Sequence, residues 1–188
     1  MKIFKLYRLT ILLAAFVALF GCKDDNGGEV SQFVGDYSIS EAKLASDLVI
    51  PTVEMGDYTI PANTNITAAI QSALLKSITC TPASDTYIEL REDNTIYFSC
   101  KGANAINAGT WEEVSSSSIT LNLNATAIPP IGFSLLITDA VIDASGISGK
   151  TSVPFQKTVI AGLIAPLTLS PSAPAIFFIN ILLKFGKK

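Results

Sequence analysis

The chain contains no histidine, and among its 188 residues there are only one tryptophan and two methionines. Without histidine there is no Ser-His or Cys-His nucleophile pair and no His-containing metal site. No Cys-x-x-Cys occurs either, which removes the usual thiol redox motif. Positive charge is sparse: 13 Lys and Arg stand against 16 Asp and Glu, scattered rather than clustered as a nucleic-acid surface demands. Nucleic acid is not an expected partner.

Carboxylates do not fill the catalytic gap. Glu92-Asp93 and Glu112-Glu113 are adjacent in sequence, and neighbours on a strand point to opposite faces, whereas an acid and a base must face one another across the bond they act on. A solvated turn accounts for them better. Asp139 and Asp143 are oxygen donors of the kind Ca²⁺ takes, yet the regular spacing of a dedicated loop is missing. Residues 144–151 (ASGISGKT) satisfy a permissive form of the phosphate-binding pattern. That chemistry needs a helix N-terminus after the loop, and Val153-Pro154 follows instead, so the segment reads as a Gly-rich turn between strands. The expectation is a protein that is not an enzyme, with no catalytic residues, no cofactor and no metal.

What the chain does have begins at its N-terminus. Lys2, Lys5 and Arg8 precede a run, residues 9–20, that is apolar except for Thr10, which is the layout of an export signal. The run is shorter than the ~20 residues a membrane-spanning helix requires. Leu19-Phe20-Gly21-Cys22 then resembles the processing site of bacterial lipoproteins. The resemblance implies a mature chain that starts at an acylated Cys22 and is held in a membrane at about 0.8 kcal/mol per buried methylene. Lys23-Asp24-Asp25 resembles the acidic tag that sends lipoproteins of the Bacteroidota to the outer face of the outer membrane, although Asp24 to Glu29 also suits a plain flexible leash. The expected organisation is a signal peptide over 1–21, a lipidated cysteine and tether over 22–31, and one β-rich domain over 32–188. Loss of the signal removes three of the thirteen basic residues and leaves ten against sixteen acids, a mature net charge near −6.

With Cys22 acylated, Cys80 and Cys100 remain, an even number in an oxidising compartment. Residues 86–91 and 95–100 are β-favouring runs around Glu92-Asp93-Asn94, a hairpin signal that folds Cys100 back towards Cys80. A disulfide is expected, the alternative being two buried thiols. Further strands are expected over 32–40, 44–50 and 55–60; Gly35-Asp36-Tyr37 in the first recurs as Gly56-Asp57-Tyr58 in the last, each glycine permitting another backbone to come close. Residues 64–78 break the period of two: Ile66, Ala69, Ile70, Ala73, Leu74 and Ile78 recur at helical spacing behind an Asn63 or Thr64 cap. A meander follows over 109–114 and 119–124, then 132–142 and 147–153. Four prolines in the C-terminal stretch exclude long helices. The final run, 175–185, places Phe177, Ile179, Ile181, Leu183 and Phe185 on one face and Asn180 and Lys184 on the other, which suits a last strand sealing a core. The strand number implied by these segments argues against a membrane-spanning barrel.

The series Gly35-Asp36-Tyr37, Tyr87-Ile88-Glu89-Leu90, Asn94-Thr95-Ile96-Tyr97-Phe98, Gly109-Thr110-Trp111 and Ile119-Thr120-Leu121 resembles the lipocalin-like lipoproteins of the Bacteroidota over residues 32–124. The resemblance implies a mainly β fold: a small antiparallel β-barrel or meander with one short amphipathic helix and an interior able to hold one apolar ligand. Two functions are compatible with all of this. One is a surface binding module for a small apolar molecule or a glycan, with Tyr58, Tyr97 and Trp111 as candidate contacts. The other is an accessory subunit docking on an outer-membrane protein. A wide apolar cavity favours the first, and a filled barrel with an exposed apolar edge favours the second.

Overall fold

Strand β10 (Ile176–Lys187) shows how the sequence builds a wall. Phe177, Ile179, Ile181, Leu183 and Phe185 are buried while Phe178, Asn180 and Leu182 between them are exposed, the period-two pattern of a sheet with one wet face. The computed structural model describes residues 30–75, 78, 80, 81, 85–101, 103–124 and 132–188, and the signal, Cys22 and the tether up to residue 29 lie outside the described residues. Ser31–Lys188 forms one unit. Its elements in order are β1 (Gly35–Leu44), β2 (Leu48–Thr52), β3 (Gly56–Ile60), α1 (Thr67–Leu74), β4 (Thr86–Leu90), β5 (Thr95–Cys100), β6 (Ala103–Ser115), β7 (Ser118–Leu123), β8 (Phe133–Asp143), β9 (Gly146–Gln156), α2 (Lys157–Leu163) and β10.

Eight strands close into an antiparallel barrel in the order β1-β10-β9-β8-β7-β6-β5-β4, and β2-β3 forms a separate two-stranded sheet. From β4 onward each strand pairs with the next, and β1 closes the circle between β10 and β4. Eight strands is the number of the smallest membrane barrels, so strand number does not decide the matter as the sequence suggested. Polarity does: Ile119, Leu121 and Leu123 of β7 are buried inside, with Thr120 and Asn122 on the outer face between them, the reverse of a lipid-facing wall.

Two glycines make the tight wall possible. A Cβ on Gly109 (φ +141°) would lie 1.9 Å from the carbonyl oxygen of Asn122, and one on Gly146 (φ +135°) 1.9 Å from that of Phe185; only glycine fits there. Close approach was expected instead at Gly35 and Gly56. Gly56 has nothing within 4 Å of its Cβ position, and Gly35 meets only the ring and hydroxyl of Tyr37. Gly56 serves a turn conformation (φ +73°) rather than a contact.

Both barrel ends are shut. At the end where β1 begins, Phe33 is fully buried, the Tyr37 hydroxyl donates to the Phe33 carbonyl at 2.9 Å, and the Trp111 indole N–H donates to the Arg91 carbonyl at 2.9 Å. At the other end β1 runs on to Leu44, and β2 starts only at Leu48, so the expected 44–50 strand is divided by a turn. The β2-β3 hairpin and α1 then cross that end, burying Ile50, Ile70 and Leu74; α2 adds Ile160, with Ile164 just behind it. Helix α1 is shorter than its apolar spacing predicted. Asn63 adopts φ +63° and the Thr64 hydroxyl donates to Pro61, so neither caps; the Asn65 side chain instead accepts from the Thr67 N–H at 2.9 Å. The second helix, α2, was not expected: its seven residues fit between Pro154 and Pro166.

Candidate functional site

The barrel interior is full. Tyr37, Leu90, Ile119, Leu121, Ile147 and Phe185 enclose a residual void of about 10 Å³, at the limit of what one water molecule requires. Tyr37, the polar group nearest this void, keeps its proton: burial, reinforced by the negative charge of Asp36, raises its pKa above the ordinary phenol value. Its hydroxyl is already satisfied by Phe33.

The opening lies in the wall. β1 and β4 pair only over Gly35↔Leu90, Asp36↔Glu89 and Tyr37↔Ile88; β1 then continues alone on that side, past a register shift between Ile39 and Glu41. Helix α1 takes over the abandoned backbone edge. The Gln71 amide donates to the Ile39 carbonyl at 2.8 Å, the Thr67 hydroxyl accepts from the Ala42 N–H at 2.8 Å, and the Ile66 N–H donates to the Ala42 carbonyl at 2.9 Å. These bonds answer the donors and acceptors that a missing strand would have answered.

Where the strands part, a groove of about 460 Å³ opens, within the ~300–1,000 Å³ usual for small-molecule sites. Ile39, Leu75, Ile78 and Cys80 supply its apolar surface, while Ser38, Gln71, Ser72, Thr86 and Lys188 supply its polar groups. Among the described residues, no hydrogen bond ties up the hydroxyls of Ser38, Ser72 or Thr86. The Lys188 ammonium lies 5.5 Å from the Tyr87 ring centroid. Cys80 and Cys100 are joined, with Cα atoms 5.4 Å apart, so the segment carrying Cys80 is tied to the end of β5 and forms one bank of the groove.

The aromatic candidates are not brought together. Trp111 faces inward, 3% exposed. Tyr97 lies on the outer wall beneath the Arg91 guanidinium, 3.6 Å from the ring centroid, and Arg91 is also paired with Glu89 at 2.6 Å. Burial works against the Glu89 charge, but the hydrogen bonds and positive charge of Arg91 help to outweigh it and hold the carboxyl below the usual glutamate range. Tyr58, on β3, packs half-buried against the core. Asp139 pairs with Lys150 at 2.9 Å, and Asp143 accepts from the Ser145 N–H and hydroxyl, both at 2.6 Å; among the described residues no His, Cys, Asp or Glu cluster suits a metal. Residues 144–151 form the β8-β9 turn and the first half of β9.

A second surface depression, about 520 Å³, is lined by Asn107, Asn122, Asn124, Thr110, Ser134 and Phe133 among others. Its amides largely serve one another: Asn107 accepts from the Gly109 N–H, Asn124 donates to the Asn107 carbonyl, and Ser134 donates to Asn122.

No known protein family, curated protein or solved structure matches the chain. Its groove residues come from β1, α1, β4, the disulfide segment and the C-terminus, and only one signal for them was present in the sequence. Ala68, Gln71, Ser72 and Leu75 sit at i, i+3, i+4 and i+7, a second helix stripe beside the core stripe of Ile66, Ile70 and Leu74, and α1 (TAAIQSAL) carries no charge. An outer helix face without charge is a face that water alone does not explain.

Proposed function

We propose that the chain is a lipid-anchored, non-catalytic binding protein of the cell envelope, held by acyl chains on Cys22 at the outer face of the outer membrane. It takes a small, largely apolar molecule in the wall groove between β1, β4 and α1, not inside the barrel. The observation that carries this reading is the contrast between a 460 Å³ groove and a 10 Å³ interior. Absence of histidine from the whole chain supports the non-catalytic part. The up-and-down strand order supports kinship with lipocalin-like lipoproteins of the Bacteroidota, with the site moved from the barrel mouth to the wall because the β2-β3 hairpin and α1 cover the mouth.

The test is mass spectrometry of the protein purified from its own membrane, beside a Ser72→Trp variant that fills the groove from an exposed helix position. A chain starting at an acylated Cys22, arriving with an apolar small molecule that the variant lacks, is the expected result. An unacylated chain retaining Met1 overturns the anchor. A ligand carried equally by the variant overturns the groove.

One observation favours a second reading, an accessory subunit docked on an outer-membrane protein. Phe178 is 71% exposed on the outer face of β10, with Ile176 exposed beside it. A stoichiometric membrane protein arriving with the chain, and no small molecule, would decide for docking.

A further inference from the structure

We infer that β3 is a docking edge for a second copy of the chain, the two β3 strands pairing antiparallel about a two-fold axis at Tyr58. The observation is an open sheet edge. In the β2-β3 hairpin Pro51 lies opposite Asp57, and Val49 lies opposite Thr59. The Pro51 carbonyl points away from β3, because it accepts from the Ser170 N–H at 2.9 Å; the Val53 N–H, on the same alternation, donates to the Thr168 carbonyl at 2.9 Å. Opposed residues of an antiparallel pair both turn their backbone groups towards each other or both turn them away. Asp57 and Thr59 therefore direct their N–H and C=O groups away from β2, and both residues are exposed. Thr168 and Ser170 answer the outer edge of β2. Among the described residues nothing answers the outer edge of β3, since neither Asp57 nor Thr59 has a hydrogen bond or ion pair beyond the hairpin.

Proline, lysine or a bulge ordinarily blunts such an edge. β3 (GDYTI) carries none of them, and its register against β2 is unbroken. A second β3 completes it. With Tyr58 opposite Tyr58 of the second copy, Asp57 of each copy lies opposite Thr59 of the other, and each such pair exchanges both N–H···O bonds, so every outward backbone group is answered. On the exposed face each Asp57 carboxylate meets a Thr59 hydroxyl and not another carboxylate, which lets two acidic chains lie side by side. Two residues further along the same register Met55, 63% exposed, reaches the level of the exposed Pro61 of the second copy, and an apolar side chain that the fold leaves in water is covered. The inner face of the hairpin packs on the core through Tyr58 and Ile60, so the edge is in place before a partner arrives. It is also short. Five residues a side bury far less than the ~1,200 Å² of a stable dimer, so the pairing rests on the lipid-anchor reading: copies held in one membrane meet at an effective concentration that free copies lack.

The experiment uses the full chain in its own outer membrane, where brief photo-oxidation couples neighbouring tyrosines, and the coupled peptides are mapped by mass spectrometry. The expected result is dityrosine joining Tyr58 to Tyr58. Thr59→Pro removes from each copy a donor that faces away from β2, a position where an edge strand accepts proline; it should lower the Tyr58 coupling about tenfold or more and leave the unfolding midpoint little changed. Met55→Asp, in the exposed turn, should lower the coupling without touching the ladder, and serves if the proline variant does not fold. Coupling indifferent to both variants, or coupling that joins Tyr87 or Tyr97 and not Tyr58, overturns the edge. Tyr58 coupled to a different protein overturns the second copy as occupant and assigns the edge to a partner's strand. The Cys22 peptide of the same digest keeps the anchor separate: an acylated chain without Tyr58 coupling overturns the β3 pairing alone, and an unacylated chain overturns the anchor whatever the tyrosines show.

Discussion

The β9-β10 and β1-β4 seams both join antiparallel strands of one barrel, yet the first runs unbroken from Ile176↔Gln156 to Gly186↔Gly146 and the second stops after three residue pairs. The long seam buries Phe177, Ile179, Ile181, Leu183 and Phe185 against Ile147, Val153 and Phe155. It leaves no room for a ligand because the ladder is continuous along its whole length and its inward positions are packed, with only Gly149 and Thr151 interrupting the row of large apolar side chains. In the short seam the backbone bonds pass to side chains of a helix and the apolar packing passes to a disulfide-tied segment, leaving space between. A barrel built this way is zipped along one seam and parted along the other, where closure was handed to other elements.

The sharpest way to break the contrast is at its glycines. Gly146→Ala drives a Cβ to 1.9 Å from the Phe185 carbonyl oxygen in the long seam, whereas Gly35→Ala in the short seam meets only the Tyr37 ring and hydroxyl, from 3.3 Å. Both positions have positive φ, so both carry a backbone cost of about 1–3 kcal/mol; the backbone collision adds to it at Gly146 alone, for a total of about 4 kcal/mol or more. Denaturant unfolding of the two variants should show that order, and equal losses would mean the two seams are not different in kind.

Removing the disulfide loosens one bank of the short seam. Cys80→Ser with Cys100→Ser opens a loop spanning a sequence separation of 20, worth about 3 kcal/mol in the chain-entropy model. Amide exchange should accelerate along α1 and the start of β4 while the β9-β10 amides change only as global stability does. Faster exchange spread evenly over both seams would show that the disulfide supports the whole barrel and not the groove.

The smallest effect sharpens the comparison at a single bond. Gln71→Ala deletes the donor that answers the Ile39 carbonyl, a loss of about 1 kcal/mol. Ligand occupancy in the groove should fall with it, because the helix no longer holds its distance from β1. Unchanged occupancy alongside the measured loss of stability would assign Gln71 to structure alone.

Much of the fold was legible along the chain. The face of β10 followed from alternation, the β4-β5 hairpin from two β-favouring runs around Glu92-Asp93-Asn94, and the pairing of Cys80 with Cys100 from that hairpin. The candidate site was not. Its lining comes from five stretches that no local pattern connects, and the aromatic residues that suggested contacts are held elsewhere: Trp111 in the core, Tyr97 under Arg91. Two copies of one tripeptide make the limit concrete. In Gly35-Asp36-Tyr37 the tyrosine is 2% exposed inside the barrel, and in Gly56-Asp57-Tyr58 it lies half-buried on a hairpin outside it.

By itself, then, the sequence determined which residues face a core, because alternation and helical spacing are properties of adjacent positions. It also determined which chemistries are unavailable, because a chain without histidine cannot acquire one by folding. Where the barrel ends were closed, where the wall parted and which glycines touch a neighbouring strand were decided only by tertiary structure. Those outcomes depend on the register in which distant strands meet, and register is set by the packing of the whole barrel at once.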